Sequence, residues 1–166
     1  MSKVDSAAAF DDADAIFESW RGRCVNTFAR GEDAIGRVLE TARSAGHDVR
    51  LQHLAGQRLK ALRDLSDRLK ATEPQRKAWQ IALDAWQALD EDRAYLAHGV
   101  MITLRDRRGN NFLRQSMTVY KSDKADRRER LLPCDFTGEF EERLKRAYAD
   151  LRRELGQFRK RLNQPL

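Results

Sequence analysis

Arg93 and His98 stand five residues apart in the stretch Leu89-Asp90-Glu91-Asp92-Arg93-Ala94-Tyr95-Leu96-Ala97-His98-Gly99. Their side chains are complementary tools. A guanidinium keeps its charge and presents a planar fork of donors that matches phosphate oxygens. An imidazole titrates near neutrality, so it can both take and give a proton. Held together, the two could grip a phosphate and move a proton beside it. Arg93 also interrupts an apolar stripe, Trp79, Ala82, Trp86, Leu89 and Leu96, whose steps of three and four mark the buried side of a helix. A buried guanidinium without a partner is costly, so the pattern demands a compensating group. Gly99 is a helix stop. A regular helix would hold side chains five apart at about 140° to one another, so a loosened last turn is expected to swing His98 toward Arg93. The same residues also admit a simpler reading. In it Arg93 is structural, paired with Asp90 or another carboxylate, and His98 is a helix-end histidine favoured by the dipole.

The spacing Arg93-(four residues)-His98, closed by Leu96-Ala97-His98-Gly99, resembles the R-x4-H signature of HEPN domains (higher eukaryotes and prokaryotes nucleotide-binding). The resemblance implies an all-helical homodimer in which two arginine–histidine pairs meet in a cleft. It also implies metal-independent RNA cleavage by 2′-hydroxyl attack, leaving a 2′,3′-cyclic phosphate, in a toxin–antitoxin or phage-defence setting. On this reading Arg93 and His98 are catalytic. Ala94 follows Arg93 where the family usually has Asn, Asp or His, so Asp92 is expected to supply the polar orienting role. Tyr95 is expected either to stack a base or to pack at the dimer seam. Val100 and Met101 stand where one branch carries a tyrosine modified by a partner nucleotidyltransferase, which separates this chain from that branch. RNA and an antitoxin or regulatory protein are the implied partners. The competing functional reading is a catalytically silent HEPN-like module that binds RNA, nucleotide or protein; a third is a purely structural bundle.

Length and composition set the frame for these residues. The 166 residues suffice for one domain with its own core, 1–166. With 41% hydrophobic and 35% charged residues, 9 Gly and 3 Pro, the chain reads as a charged-surface helical protein. No stretch approaches the roughly 20 apolar residues of a membrane span. Met1-Ser2-Lys3-Val4-Asp5 lacks an apolar signal core, and Cys24 and Cys134 read as reduced thiols, so a cytoplasmic location is expected. His47, His53 and His98 lie apart from both cysteines, so neither a metal site nor a cofactor is expected. The net charge is +6 with a pI near 9.6. Between Arg105 and Arg130 nine basic side chains face four acidic ones, so most of the excess follows the motif directly. Arg105, Arg107, Arg108 and Arg114 are the RNA-binding candidates there.

The positioning elements follow from periodicity. Ser6 or Asp11 is the expected N-cap of a first helix. Phe17, Trp20, Cys24, Phe28, Gly31, Ile35, Val38 and Ala42 predict that it runs unbroken through Gly31, with another backbone packed closely there. Gly46 and Asp48 mark a turn before a second helix bearing Leu51, Leu54, Ala55, Leu59, Leu62, Leu65 and Leu69. Thr72 and Gln75 form a capping box for a third helix that runs on to the motif. Trp79 and Trp86 lie seven apart on it and serve core or dimer packing. After Gly99 the period becomes two, and Asp106-Arg107-Arg108-Gly109-Asn110 has turn chemistry, so a β-hairpin is predicted. Lys121 to Arg130 reads as a polar connector or short exposed helix. Asp135 or Thr137 then caps a last helix with Phe140, Leu144, Ala147, Leu151, Leu155, Phe158 and Leu162 inside. The expected fold is an all-α antiparallel four-helix bundle with a hairpin inserted before the last helix, hairpin and connector occupying about 100–130.

Overall fold

A computed structural model describes the backbone over residues 3–121 and 124–162, and the side chains over 12–120 and 124–162. Helix α1 spans Lys3–Ser44, α2 Ala55–Arg68, α3 Glu73–Gln87 and α4 Asp90–His98. Strands β1 (Val100–Arg105), β2 (Asn111–Lys121) and β3 (Lys124–Pro133) follow, and α5 spans Asp135–Leu162. The strands form one antiparallel sheet in the order β1-β2-β3. The chain divides into two compact units, Met1–Asn26 with Glu91–Arg143, and Thr27–Asp90 with Leu144–Leu166.

An all-α bundle is therefore not what the chain adopts: helices and a three-stranded sheet share it. Two local events account for the difference. The expected third helix ends at Gln87, where Ala88 caps it and Leu89 N–H donates to Trp86 O at 3.2 Å, tightening the last turn to three residues. A separate short helix, α4, then restarts at Asp90 and carries the motif. The expected connector is the strand β3, paired to β2 from Phe112↔Pro133 to Lys121↔Lys124.

In the first unit the apolar stripe of α1, Phe17, Trp20 and Cys24, is buried together with Tyr95 and Leu96 of α4. Leu113 and Met117 of β2, Leu132 of β3 and Phe140 of α5 complete this core. Trp20 meets Phe140 edge-on at 5.9 Å and donates its Nε1–H to Thr137 O at 2.9 Å. The hairpin turn falls where its sequence places it. Gly109 has a φ of +88°, and Asp106 Oδ1 accepts from the backbone N–H groups of Arg108 and Asn110 at 2.8 and 2.9 Å.

In the second unit α1 is continuous through Gly31, as its stripe requires. A methyl group there would collide with the Trp86 indole, so the close neighbour is a ring rather than another backbone. Trp86 also packs on Phe28 at 5.4 Å, and Trp79 on Phe158 at 4.4 Å. Both indoles are buried within the unit, so neither is left for a dimer seam. Helix α2 begins later than its leucines imply, at Ala55, and Leu51 and Leu54 are exposed ahead of it. Gln75 Oε1 accepts from Thr72 N–H at 3.0 Å, completing one arm of the capping box before α3.

Candidate functional site

Helix α4 must deliver both motif residues. Among the described residues it is regular to its end: Gly99 N–H still donates to Tyr95 O, four residues back, at 2.9 Å. The relaxed last turn that would bring His98 round to Arg93 is therefore absent. The two side chains leave α4 about 140° apart, with Arg93 half-buried and His98 exposed. Arg21 of α1 closes the helix end. Its Nε donates to Leu96 O at 2.8 Å and its Nη2 to Gly99 O at 3.3 Å, placing a cation on carbonyls the helix leaves unsatisfied. Gly99 is buried there, and a methyl group would collide with Tyr95 O and lie 3.3 Å from Ser116 O. The glycine after His98 thus permits a close backbone crossing from helix to strand.

The buried charge of α4 is Asp92, one residue before Arg93. Its Oδ1 accepts from Arg130 Nη1 at 2.6 Å and its Oδ2 from Arg143 Nη2 at 2.7 Å. Arg130, from β3, also donates its Nε–H to Gln115 Oε1 at 2.7 Å and lies 4.1 Å over the Tyr95 ring. Gln115 is fully buried, with its amide near Met101 Sδ at 3.7 Å. Arg143 runs over Phe140 at 5.3 Å. This hub ties α4, β2, β3 and α5 together through charge-assisted bonds in a partly dry setting. Both oxygens of Asp92 are thereby engaged by arginines other than Arg93, and the Tyr95 ring is covered rather than open to a base.

Arg130 and Arg143 lay outside the candidates read from sequence. A signal for Arg130 existed: it shares strand parity with the buried Leu132 and the half-buried Arg128. A guanidinium at an inward position reads as polar, however, and masks the alternation. For Asp92 the steps from Leu89 to Leu96 fit three-plus-four as well as four-plus-three. Only the break at Ala88 decides between them.

The four hairpin arginines do not gather into one patch. Arg107 and Arg108 project from the turn and are exposed. Arg105 is half-buried and donates its Nε–H to Gly109 O at 3.2 Å, on the opposite strand parity from Arg114. Arg114 lies mid-strand with its Nε 3.3 Å from Glu129 Oε1. Hydrogen bonds from the Asn110 side chain and backbone, opposed by slight desolvation, hold the Asp106 carboxyl below its ordinary range. The same hydrogen bonds close the turn from which the two cations project. Farther along β3, Arg128 is taken up by Asp126 at 2.9 Å and faces Glu91 at 4.0 Å.

Chemically, the first unit offers an accessible imidazole at a helix end, a half-buried guanidinium on the same helix, and two exposed arginines at a rigid turn. Among the described residues no group of His, Cys, Asp or Glu is arranged to hold a metal ion, and no helix is long and apolar enough to cross a membrane. The second unit carries two open polar grooves of about 700 Å³, one lined by Asp48, Arg50, Lys60, Asp64 and Arg68, the other by Glu32, Arg37, Glu40 and Arg58. None of the motif residues lines either. No family model, curated protein or solved structure matches this chain.

Proposed function

We propose that the chain is a metal-independent endoribonuclease of the HEPN type, working as a homodimer in the cytoplasm as a toxin or defence component under an antitoxin or regulatory protein. The observation that carries this reading is the display of His98. It stands exposed at the end of a short helix that Arg21 and the Asp92 hub hold in place, with Arg93 on the same helix. In the proposed reaction His98 takes the proton from the RNA 2′-hydroxyl. The freed oxygen attacks phosphorus, the bond to the 5′-oxygen breaks, and that oxygen leaves with a proton. The products are a 2′,3′-cyclic phosphate and a 5′-hydroxyl. Arg93 holds the non-bridging oxygens as charge builds on them. Because the two side chains of one helix diverge, the set is read as assembled from two chains, one imidazole acting as base and the other as acid. The test is substrate chemistry. Single-stranded RNA should be cut in EDTA, and the same sequence with deoxyribose at each position should not. Cutting of both would exclude 2′-hydroxyl attack.

One specific observation favours the second reading, a silent HEPN-like binding module. Ala94 offers no polar group beside Arg93, and Asp92 is engaged by Arg130 and Arg143. On this reading RNA binds with salt-sensitive affinity and remains intact.

A further inference from the structure

The sheet of the first unit has two unlike faces. One is buried through Thr103, Leu113, Gln115, Met117 and Leu132. The other presents Val100 at 60% exposure, Ile102 at 40%, Leu104 at 36% and Leu131 at 57%. The register makes these neighbours. Ile102, Arg114 and Leu131 form one cross-strand row, Leu104, Phe112 and Pro133 the next, and Val100, Ser116 and Glu129 the row on the other side. An aliphatic edge of this kind, Val100, Ile102 and Leu104 with Leu131 across Arg114, suits an interaction surface better than ordinary scatter.

We infer that this face is the dimer interface, stacked on the same face of a second copy about a twofold axis. Three observations select the occupant. RNA suits the face poorly, because Phe112 and Tyr120 lie eight residues apart on β2, about 27 Å at 3.4 Å per residue, too far to stack neighbouring bases. The central cation, Arg114, faces Glu129 at 3.3 Å, and their side chains stay 37% and 47% exposed, so both charges remain open to a partner of opposite charge. Arg114 and Glu129 stand in adjacent rows on neighbouring strands, each only partly covered. A twofold axis between those rows sets the exposed part of Arg114 against the other copy's Glu129, twice per dimer. Charge complementarity to itself is what an isologous interface requires. Sheets stacked face to face lie about 10 Å apart with side chains interdigitated, which would bury the Ile102, Leu104 and Leu131 side chains. His98 precedes Val100 by two residues, so each copy's imidazole lies within about 7 Å of chain from the interface. The inference supplies the second chain the ribonuclease reading needs but does not rest on that reading.

The experiment is sedimentation equilibrium at protein concentrations up to about 100 µM, with far-UV circular dichroism to confirm folding. Wild type should dimerise. Ile102→Asp and Leu131→Asp, at exposed positions, should fold and remain monomeric. Arg114→Glu alone and Glu129→Arg alone should each remain monomeric through doubled repulsion, while an equimolar mixture of the two should form a heterodimer. A monomeric wild type, a dimer indifferent to Ile102→Asp, or a mixture that stays monomeric would each overturn the interface. RNA cleavage measured on the same samples reports on the ribonuclease reading separately.

Discussion

Asp92 and Arg130 lie 2.6 Å apart, carboxylate to Nη1, joining the motif helix to the last strand of the sheet. Arg130 is at the same time stacked on Tyr95 and bonded to Gln115, so removing its anion strands a cation in a partly buried site. Asp92→Ala should cost about 3–5 kcal/mol of stability. Arg143→Ala should cost only about 0–1 kcal/mol, because Arg143 is 58% exposed on its side chain. Urea unfolding of both variants checks this, and equal losses would mean that Asp92 is not the anchor.

Gly31 lies against the Trp86 ring with no room for a methyl group. Gly31→Ala should destabilise by roughly 1–3 kcal/mol, the usual cost of overpacking, despite the better helix propensity of alanine. Combining it with Trp86→Leu should cost less than the two single changes summed. A strictly additive double-mutant cycle would refute the close approach of ring and glycine.

The long helices were legible because their stripes are uninterrupted: Phe17 to Ala42 in α1 and Phe140 to Leu162 in α5 are buried where the period places them. The turn at Asp106 to Asn110 was legible for a similar reason, its residues each having a distinct backbone task. Strand β3 was not, since Arg130 points inward toward Asp92, 38 residues away in sequence, a pairing no local window contains. The break between α3 and α4 was hidden too. Ala88 is a strong helix former, and no Gly or Pro marks the place. Of the site, the end of the helix at His98 was accessible from pattern, because Gly99 follows it. That Asp92 rather than Arg93 carries the buried charge required the break to be known.

Asp106 has its carboxyl held below the ordinary 3.8, chiefly by the Asn110 side chain. A lowered folded-state value means the turn is favoured by this group above its unfolded value. The contribution is then lost as pH falls through the folded one. The amide shifts of Arg108 and Asn110 should therefore titrate together with a midpoint under 3.8. In Asp106→Asn that titration should vanish. A midpoint at or above the ordinary carboxylate value would contradict the hydrogen-bonded turn.

Arg107 and Arg108 project from that turn into solvent. Replacing both with alanine should weaken RNA binding across all sequences. The slope of log K against log salt should flatten by roughly 0.7 for each phosphate no longer neutralised on a single strand. Filter binding at several salt concentrations reads both effects, and an unchanged slope would leave these arginines to solubility alone.

The proposed role of His98 as the group that moves the proton in RNA cleavage is tested by one rate comparison. Wild type and His98→Ala are incubated with the same single-stranded RNA in EDTA, both at concentrations where they are folded by circular dichroism. His98 is exposed at a helix end, so the variant should fold and melt as wild type does. Wild type should yield cyclic-phosphate products, and the variant should cut at a rate about 100- to 10,000-fold lower. A variant that cuts as fast as wild type would contradict that role.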